Sequence, residues 1–241
     1  CLMESEGGLK LHLKALKIHR SKFRQIIQVG LPAGMQGAVF SISNVLIQSS
    51  VNSFGSLAMA GNTATSSLEG FVYIGSNAFH QTVVSFVGQN LGGGRYDRIR
   101  RSILYCMACS SVVCLVMGFG FLLDGRRLLA VYNSNPEVIA WGMLRMKVLF
   151  TTYFLCGMMD VVSGALRGLG HSVMPAVITL IGVCVLRVVW VCTVFPLHPT
   201  MGNLMLSYPI TWAVTAAANG LYLYWVCRRL SRPEYGVVKR A

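Results

Sequence analysis

Six long apolar stretches, separated by short polar connections, constrain this sequence of 241 residues more than any other feature. A bilayer core needs about 20 mainly apolar residues per helix, and each stretch meets that length. The predicted spans are residues 26–54, 62–91, 101–123, 138–166, 173–196 and 204–228. Charged residues make up only 12% of the chain, which excludes an ordinary soluble globule. The sequence therefore predicts an all-α membrane protein with six transmembrane helices.

Lysine and arginine lie mainly on one side of these spans. The opening segment, the second and fourth connections and the tail hold most of them, whereas Arg126 and Arg127 lie on the other side. The positive-inside rule predicts a multi-pass protein of the cell membrane with both ends of this segment in the cytoplasm. The net charge of +13 is then explained by the membrane surface, and no zinc-finger or RNA-binding motif points to nucleic acid.

The charge pattern divides the chain into three parts. Residues 1–25 are predicted to form a cytoplasmic linker, residues 26–228 the transmembrane region and residues 229–241 a basic cytoplasmic tail. Within the linker, residues 9–24 place leucine and isoleucine among basic residues, which suits an amphipathic helix on the anionic inner leaflet. A plain solvated linker fits this segment equally well.

Most cysteines sit inside apolar runs, where reduced, buried side chains are expected. The pair Cys106-x-x-Cys109 has a spacing found in zinc sites, but no second pair or histidine follows at zinc-binding distance. The sequence therefore predicts no metal site.

Polar residues follow one face of each of the first two predicted helices. At 100° per residue, a stripe about 80° wide on the first helix contains Ser41, Asn44, Gln48 and Asn52. A stripe about 60° wide on the second contains Asn62, Ser66, Glu69, Tyr73, Ser76 and His80. Such stripes serve either interhelical hydrogen bonds or a hydrated cavity. Two full-length stripes, one with an acid and an imidazole, favour the cavity.

Asp160 is the only acid within the apolar part of the fourth predicted helix. It lies about two turns from the cytoplasmic end, on a face shared with Tyr153 and Arg167. Two interpretations are equally supported: a carboxylate that binds substrate or a coupling ion, or a structural partner of Arg167 or of a neighbouring helix.

Three further cations fall within predicted spans. Arg187 is expected to pair with an acid such as Glu69. Arg145 and Lys147 lie towards the outer end of the fourth helix, where snorkelling accounts for both side chains.

Two glycine motifs, Gly164-x-x-x-Gly168 and Gly88-x-x-x-Gly92, predict close approach between helices. The neighbouring run of glycines at 92–94 lacks the lysine of a phosphate-binding loop and the strand that precedes a dinucleotide site. No nucleotide-driven motor is therefore predicted in this chain.

Three segments resemble the multidrug and toxic compound extrusion (MATE) transporters. They are GLPAGMQ at 30–36, VGQNLGGGRYDRIRRS at 87–102, which is the most specific, and GALRGLGHSVMPAV at 164–177. Members of that family have twelve helices in two six-helix lobes, joined by a cytoplasmic linker, with the substrate cavity between the lobes. The resemblance implies that residues 9–24 match the interlobe linker and that residues 26–228 match the second lobe. A partner lobe is then missing from the sequence.

The resemblance implies secondary active efflux rather than an enzyme. Small organic cations, including xenobiotics, would be exported in exchange for protons or sodium ions, with no other cofactor. Cavity residues would come from the polar faces of the first, second and fourth helices: Gln36, Asn44, Gln48, Glu69, Tyr73, His80 and Asp160.

Differences from the sodium-coupled branch indicate the DNA-damage-inducible (DinF-like) branch. The first helix lacks the acid expected there, and that branch carries its aspartate about one turn before the position of Asp160. In the DinF-like branch the essential carboxylate lies in the first lobe.

Two alternatives remain open. A flippase for lipid-linked saccharides has a related architecture, and cationic residues in the missing lobe would favour it. A membrane-embedded enzyme is disfavoured, because His80 and His171 have no metal-ligand spacing and no nucleophile lies beside a base.

Overall fold

The computed structural model describes residues 19–230, which are helical nearly throughout and contain no strand. In these residues the α-helices, in chain order, are α1 Arg20–Asn52, α2 Ser56–Gly92, α3 Tyr96–Leu123, α4 Gly125–Tyr132, α5 Pro136–Gly168, α6 Val173–Thr179, α7 Leu186–Thr193 and α8 Met201–Leu230. A π-helical turn, Leu180–Val185, joins α6 to α7, and a 3-10 turn, Phe195–Leu197, follows α7.

The predicted all-α class and its six spans are confirmed, because α6, the π-helical turn and α7 form one continuous span. The short helix α4 was not predicted. Helix α1 begins at Arg20, before the predicted start of the first span at residue 26. Residues 1–18 and 231–241, which hold most of the predicted linker and tail, lie outside the described residues.

Three of the six spans are long and apolar enough by composition alone to cross a membrane: Tyr96–Leu123, Pro136–Gly168 and Val173–Leu197. The other three, α1, α2 and α8, have 33, 37 and 30 residues, so their length also suffices. Their lower hydropathy reflects the polar side chains that they carry.

Helix α5 lies at the centre and packs against α2, α3 and α8. At two of these helix crossings, a glycine allows the two backbones to approach closely. A Cβ added to Gly61 of α2 would lie 2.6 Å from the Val138 carbonyl oxygen, and one added to Gly118 of α3 would lie 2.5 Å from that of Phe150. Two backbones can approach this closely only because one residue has no side chain.

The predicted close approach at Gly164 and Gly168 is confirmed on the face of α5 that meets α2. A Cβ on Gly168 would lie 2.8 Å from the Val84 carbonyl oxygen. In the second motif, Gly88 makes ordinary contact with Gly168, but Gly92 faces open space, so the prediction is wrong for Gly92.

Apolar side chains hold α5 through two clusters. One includes Met146, Leu149 and Phe150, and the other includes Val161 and Leu166. The polar side chains on the same helix are therefore presented from a fixed backbone.

The π-helical turn lies against α8. Gly182, within the turn, faces Thr215 so closely that a Cβ would overlap the threonine side chain. One turn earlier in the span, Thr179 accepts a hydrogen bond from Asn219 over 3.3 Å.

Candidate functional site

A cavity of about 560 Å³ lies among α1, α2, α5, α6 and α8. It brings together five of the predicted site residues: Gln36, Asn44, Tyr73, His80 and Asp160. The other lining residues are Gly37, Phe40, Asn77, Gln81, Cys156, Met159, Ser163, Arg167, Thr179 and Trp212. Its volume is within the range of pockets that hold small organic ligands.

Periodicity could have found several of the residues that sequence reasoning missed. Phe40 lies four residues from both Gln36 and Asn44, so the three share one face of α1. Asn77 and Gln81 continue the face of α2 that carries Tyr73 by the same spacing. Met159 and Trp212 had no such signal, because they are apolar residues within the apolar stretches of α5 and α8.

The Asp160 carboxylate lines the cavity without a cationic partner. Among the side chains that the structure describes, no Lys, Arg or His nitrogen lies within 4 Å of it. Arg167, the partner considered from the sequence, instead donates a hydrogen bond from Nη2 to Oε1 of Gln36 over 2.6 Å. Asp160 and Arg167 therefore form no close ion pair in this structure, although the two groups still interact electrostatically at longer range.

His80 is held in one orientation by α5. Its Nδ1 lies 2.8 Å from the backbone oxygen of Asp160. Because a carbonyl oxygen only accepts hydrogen bonds, Nδ1 carries the hydrogen, and Nε2 is left as the second polar atom of the ring. Gly164 makes room for this contact, since a Cβ there would lie 3.0 Å from the same nitrogen.

Glu69 and Gln48 are not among the residues that line this cavity. Glu69 accepts a hydrogen bond from Arg145 Nη2 over 2.5 Å. Arg145 also donates from Nη1 to Asn62 Oδ1 over 2.5 Å and to the hydroxyl of Ser66 over 2.7 Å. Arg145 is only 5% exposed, so its side chain does not snorkel to the membrane surface. The snorkelling prediction is therefore wrong for Arg145.

The network around Arg145 extends to α1. Asn62 donates from Nδ2 to Gln48 Oε1 over 2.8 Å, and Gln48 donates to Asn52 Oδ1 over 3.3 Å. The polar stripes of α1 and α2 therefore divide into two functions. One part makes hydrogen bonds that connect α1, α2 and α5, and it consists of Gln48, Asn52, Asn62, Ser66 and Glu69. The other part, which includes Asn44, Tyr73 and His80, lines the cavity.

Arg187 does not pair with Glu69, contrary to the prediction. It is 3% exposed, and its guanidinium lies 4.0 Å from the ring centroid of Tyr208. A cation over an aromatic face is attracted by the ring quadrupole, which offsets part of the cost of burial. Tyr208 in turn packs edge-to-face on Trp212, a cavity residue.

The cavity suits the binding of an organic solute more than catalysis. It offers one carboxylate, one guanidinium, an imidazole, amide groups and three aromatic rings. Within residues 19–230, no group of three histidine, cysteine, aspartate or glutamate side chains is placed to hold a metal ion.

Comparison with known proteins gives consistent results. The family model described as MatE matches residues 32–193. The probable multidrug resistance protein YpnP of Bacillus subtilis is 28% identical over 162 residues, which cover 67% of this chain and 36% of YpnP. The FAD transporter of Shewanella oneidensis is 21% identical over 214 residues, which cover 89% of this chain and 46% of that protein.

The fold is similar to that of a solved transporter. A crystal structure of MATE in complex with MaL6 superposes with a TM-score of 0.81 at 16% identity, covering 92% of this chain and 50% of that one. The chain thus spans between a third and a half of the length of the proteins that it matches.

Proposed function

This chain belongs to the multidrug and toxic compound extrusion (MATE) family, whose members are transporters and not enzymes, and we propose that it forms one six-helix lobe of a secondary active multidrug efflux protein. A second lobe of the same transporter would close the cavity from the opposite side. The half-length match to the solved MATE structure supports this arrangement. Two lobes that enclose a midplane site are a common basis for alternating access.

We propose that the exported substrates carry an organic cation. The observation that carries this proposal is the Asp160 carboxylate, which lines the cavity and makes no ion pair within 4 Å with any described side chain. Phe40, Tyr73 and Trp212 add aromatic faces to the same cavity. A carboxylate attracts a cation through its charge, and aromatic faces attract it through their quadrupoles.

The transport would be driven by an inward flux of protons or sodium ions. A carboxylate can hold either ion or the cationic substrate, so competition for Asp160 would couple the two fluxes. Because α1 carries no acid among residues 20–52, a second carboxylate is expected in the partner lobe, as in the DinF-like branch. No other cofactor is required, and both ends of this segment would lie in the cytoplasm.

The test uses proteoliposomes that contain the full-length transporter in which this lobe lies. Efflux of a fluorescent cation is expected when a proton or sodium gradient is imposed without any nucleotide. Vesicles that contain only residues 1–241 serve as the control and are expected to show no coupled flux. Absence of cation transport under both gradients, together with movement of a lipid-linked saccharide, would replace this proposal with the flippase alternative.

A further inference from the structure

We propose that a groove between α4 and α5 binds an anionic glycerophospholipid of the surrounding membrane, with its phosphodiester held by Arg126 and Lys147 and an acyl chain along the apolar surface of α5. The groove is separate from the cavity around Asp160, so this inference goes beyond the proposed efflux function. It is carried by the meeting of two cations with an exposed apolar stripe in one surface depression.

Two adjoining cavities, of about 780 and 530 Å³, form this α4–α5 groove. Both are lined by Arg126, Met143 and Lys147, so they are parts of one depression. Apart from these shared residues, the larger cavity has apolar walls, formed by Pro136, Ile139, Ala140, Leu144 and Val148. The smaller cavity adds Asp124 and Arg127. The groove therefore places charged groups beside an apolar surface, as a phospholipid places its headgroup beside its chains.

The charges of the groove do not cancel. Asp124 is matched by Arg127, whose Nη1 lies 3.3 Å from Oδ1 of the carboxylate. Arg126 and Lys147 make no ion pair within 4 Å with any described side chain. An excess of two positive charges therefore remains. A phosphodiester carries one negative charge and accepts hydrogen bonds from guanidinium and ammonium groups, so it is a suitable counter-ion for both side chains.

Helix α4 is held on α5 by close packing, which fixes the position of Arg126. Gly125, the residue before Arg126, lies so close to α5 that an added Cβ would be 2.8 Å from Sδ of Met143. Further along α4, Leu129 is 2% exposed and packs on Gly142, where a Cβ would lie 2.8 Å from Leu129 Cδ1. The cationic part of the groove is therefore formed before a ligand binds.

The groove and the cavity around Asp160 lie on opposite sides of α5. At 100° per residue, Cys156, Asp160 and Ser163 point about 140° to 180° away from Lys147. These three residues line the cavity that the second lobe is proposed to close. A lobe placed there does not cover Lys147, so the surface that carries this lysine is left to the surrounding lipid.

The depth of Lys147 favours a lipid over a soluble anion. Lys147 is eleven residues from Pro136, the first residue of α5, an axial distance of about 16 Å, whereas half of a bilayer core is about 15 Å thick. An exposed ammonium group in this part of a span is costly without a counter-charge. Ala140 and Leu144, which are exposed, give the groove an apolar surface along the same length. A phospholipid satisfies both parts, because its phosphate neutralises the cations and its chain covers the apolar side chains.

Two photoreactive phospholipids provide a matched pair of probes. Phosphatidylglycerol and phosphatidylcholine, each with the same diazirine-bearing acyl chain, are incorporated at the same mole fraction into separate vesicles that contain the full-length transporter. After illumination, peptide mass spectrometry measures the yield of lipid crosslinked to residues 136–148. The readout is the ratio of the phosphatidylglycerol yield to the phosphatidylcholine yield, because a general loss of folded protein lowers both yields together.

A ratio of about ten is expected for the wild type, since two cations attract the anionic lipid. The double variant Arg126→Gln, Lys147→Gln is expected to lower the ratio to about one, whereas Lys147→Arg, which keeps the charge, is expected to preserve it. Arg101→Gln is the control, because Arg101 is an exposed arginine on α3 that does not line the groove. It also removes one positive charge and is expected to leave the ratio unchanged.

The inference is overturned if the wild type crosslinks both lipids equally, or if the double variant keeps the wild-type ratio. It is also overturned if inorganic phosphate, added at constant ionic strength, lowers the ratio to that of the double variant, because the groove would then take a soluble anion. Should the double variant not reach the membrane, each single substitution replaces it, with an expected fall of about threefold, and an unchanged ratio in both counts against the proposal. No transport is measured, so a failure of the proposed efflux function leaves this test unaffected.

Discussion

Arg145 of α5 and Glu69 of α2 form a salt bridge of 2.5 Å inside the helical bundle. The arginine side chain is 6% exposed and the glutamate side chain 18% exposed, so the pair is largely shielded from solvent. Nη1 of Arg145 donates hydrogen bonds to Asn62 and Ser66, while its Nε atom has no partner among the described residues. The bridge ties α2 to α5 at a point separate from the residues that line the cavity.

Replacing Arg145 with methionine is expected to destabilise the transporter by about 3–5 kcal/mol, because Glu69 is left without its counter-charge. Thermal unfolding in detergent measures the effect. Lys147→Met removes a cation two residues away, where the side chain is exposed, and is expected to change little. In the double variant with Glu69→Leu, much of the stability is expected to return. No recovery would mean that Arg145 acts through its bonds to Asn62 and Ser66 alone.

Gly61→Ala is expected to destabilise the bundle by about 1–3 kcal/mol, since the new methyl group would overlap the Val138 backbone and force α2 away from α5. Gly70→Ala is the control on the same helix, because a Cβ there meets nothing within 4 Å. The control is expected to be neutral or to gain up to about 1 kcal/mol from helix propensity. Equal effects of the two variants on thermal stability would contradict the close approach at Gly61.

Asp160→Asn is expected to lower cation export about tenfold or more without preventing insertion into the membrane, since it removes the charge that faces the ligand but keeps the side-chain shape. Asp97→Asn is the matched control, because Asp97 is exposed at the start of α3. Export rate and the amount of folded protein are measured together. Normal export with normal expression would assign Asp160 no part in transport, and loss of folded protein would indicate a structural role.

The predicted orientation is tested by cysteine substitution at two exposed arginines. A cysteine at position 98 is expected to be protected from an impermeant thiol reagent in intact cells, whereas one at position 127 is expected to react. The pattern is expected to reverse in inside-out vesicles. Labelling of position 98 from outside intact cells would invert the topology.

The spans could be predicted from the sequence because hydropathy is a local property. Each apolar stretch became a helical span with ends within six residues of the expected positions. The polar faces of α1 and α2 were also predictable, since the angle between residues on one helix follows from their spacing alone. Cavity residues such as Asn44 and Tyr73 were found in this way.

What each polar face contacts could not be predicted, because it depends on residues distant in the chain. Arg145 lies 76 residues from Glu69, and hydropathy gives no information on which helix brings them together. The assignment of Glu69 to the cavity came from the continuity of its stripe with Tyr73. That continuity ends where the guanidinium of Arg145 occupies the space beside α2.

The π-helical turn Leu180–Val185 inserts one extra residue into the fifth span, compared with a regular α-helix that covers the same distance. In an uninterrupted α-helix, Thr179 and Arg187 would point about 80° apart, whereas with one residue absorbed by the wider turn they are separated by only about 20°. This explains why both contact α8, Thr179 through Asn219 and Arg187 through Tyr208. One residue of the π-helical turn is therefore not needed to maintain these two contacts. Deleting the exposed Ile181 is expected to convert the turn to a plain α-helix and to keep both contacts, so that thermal stability in detergent changes little.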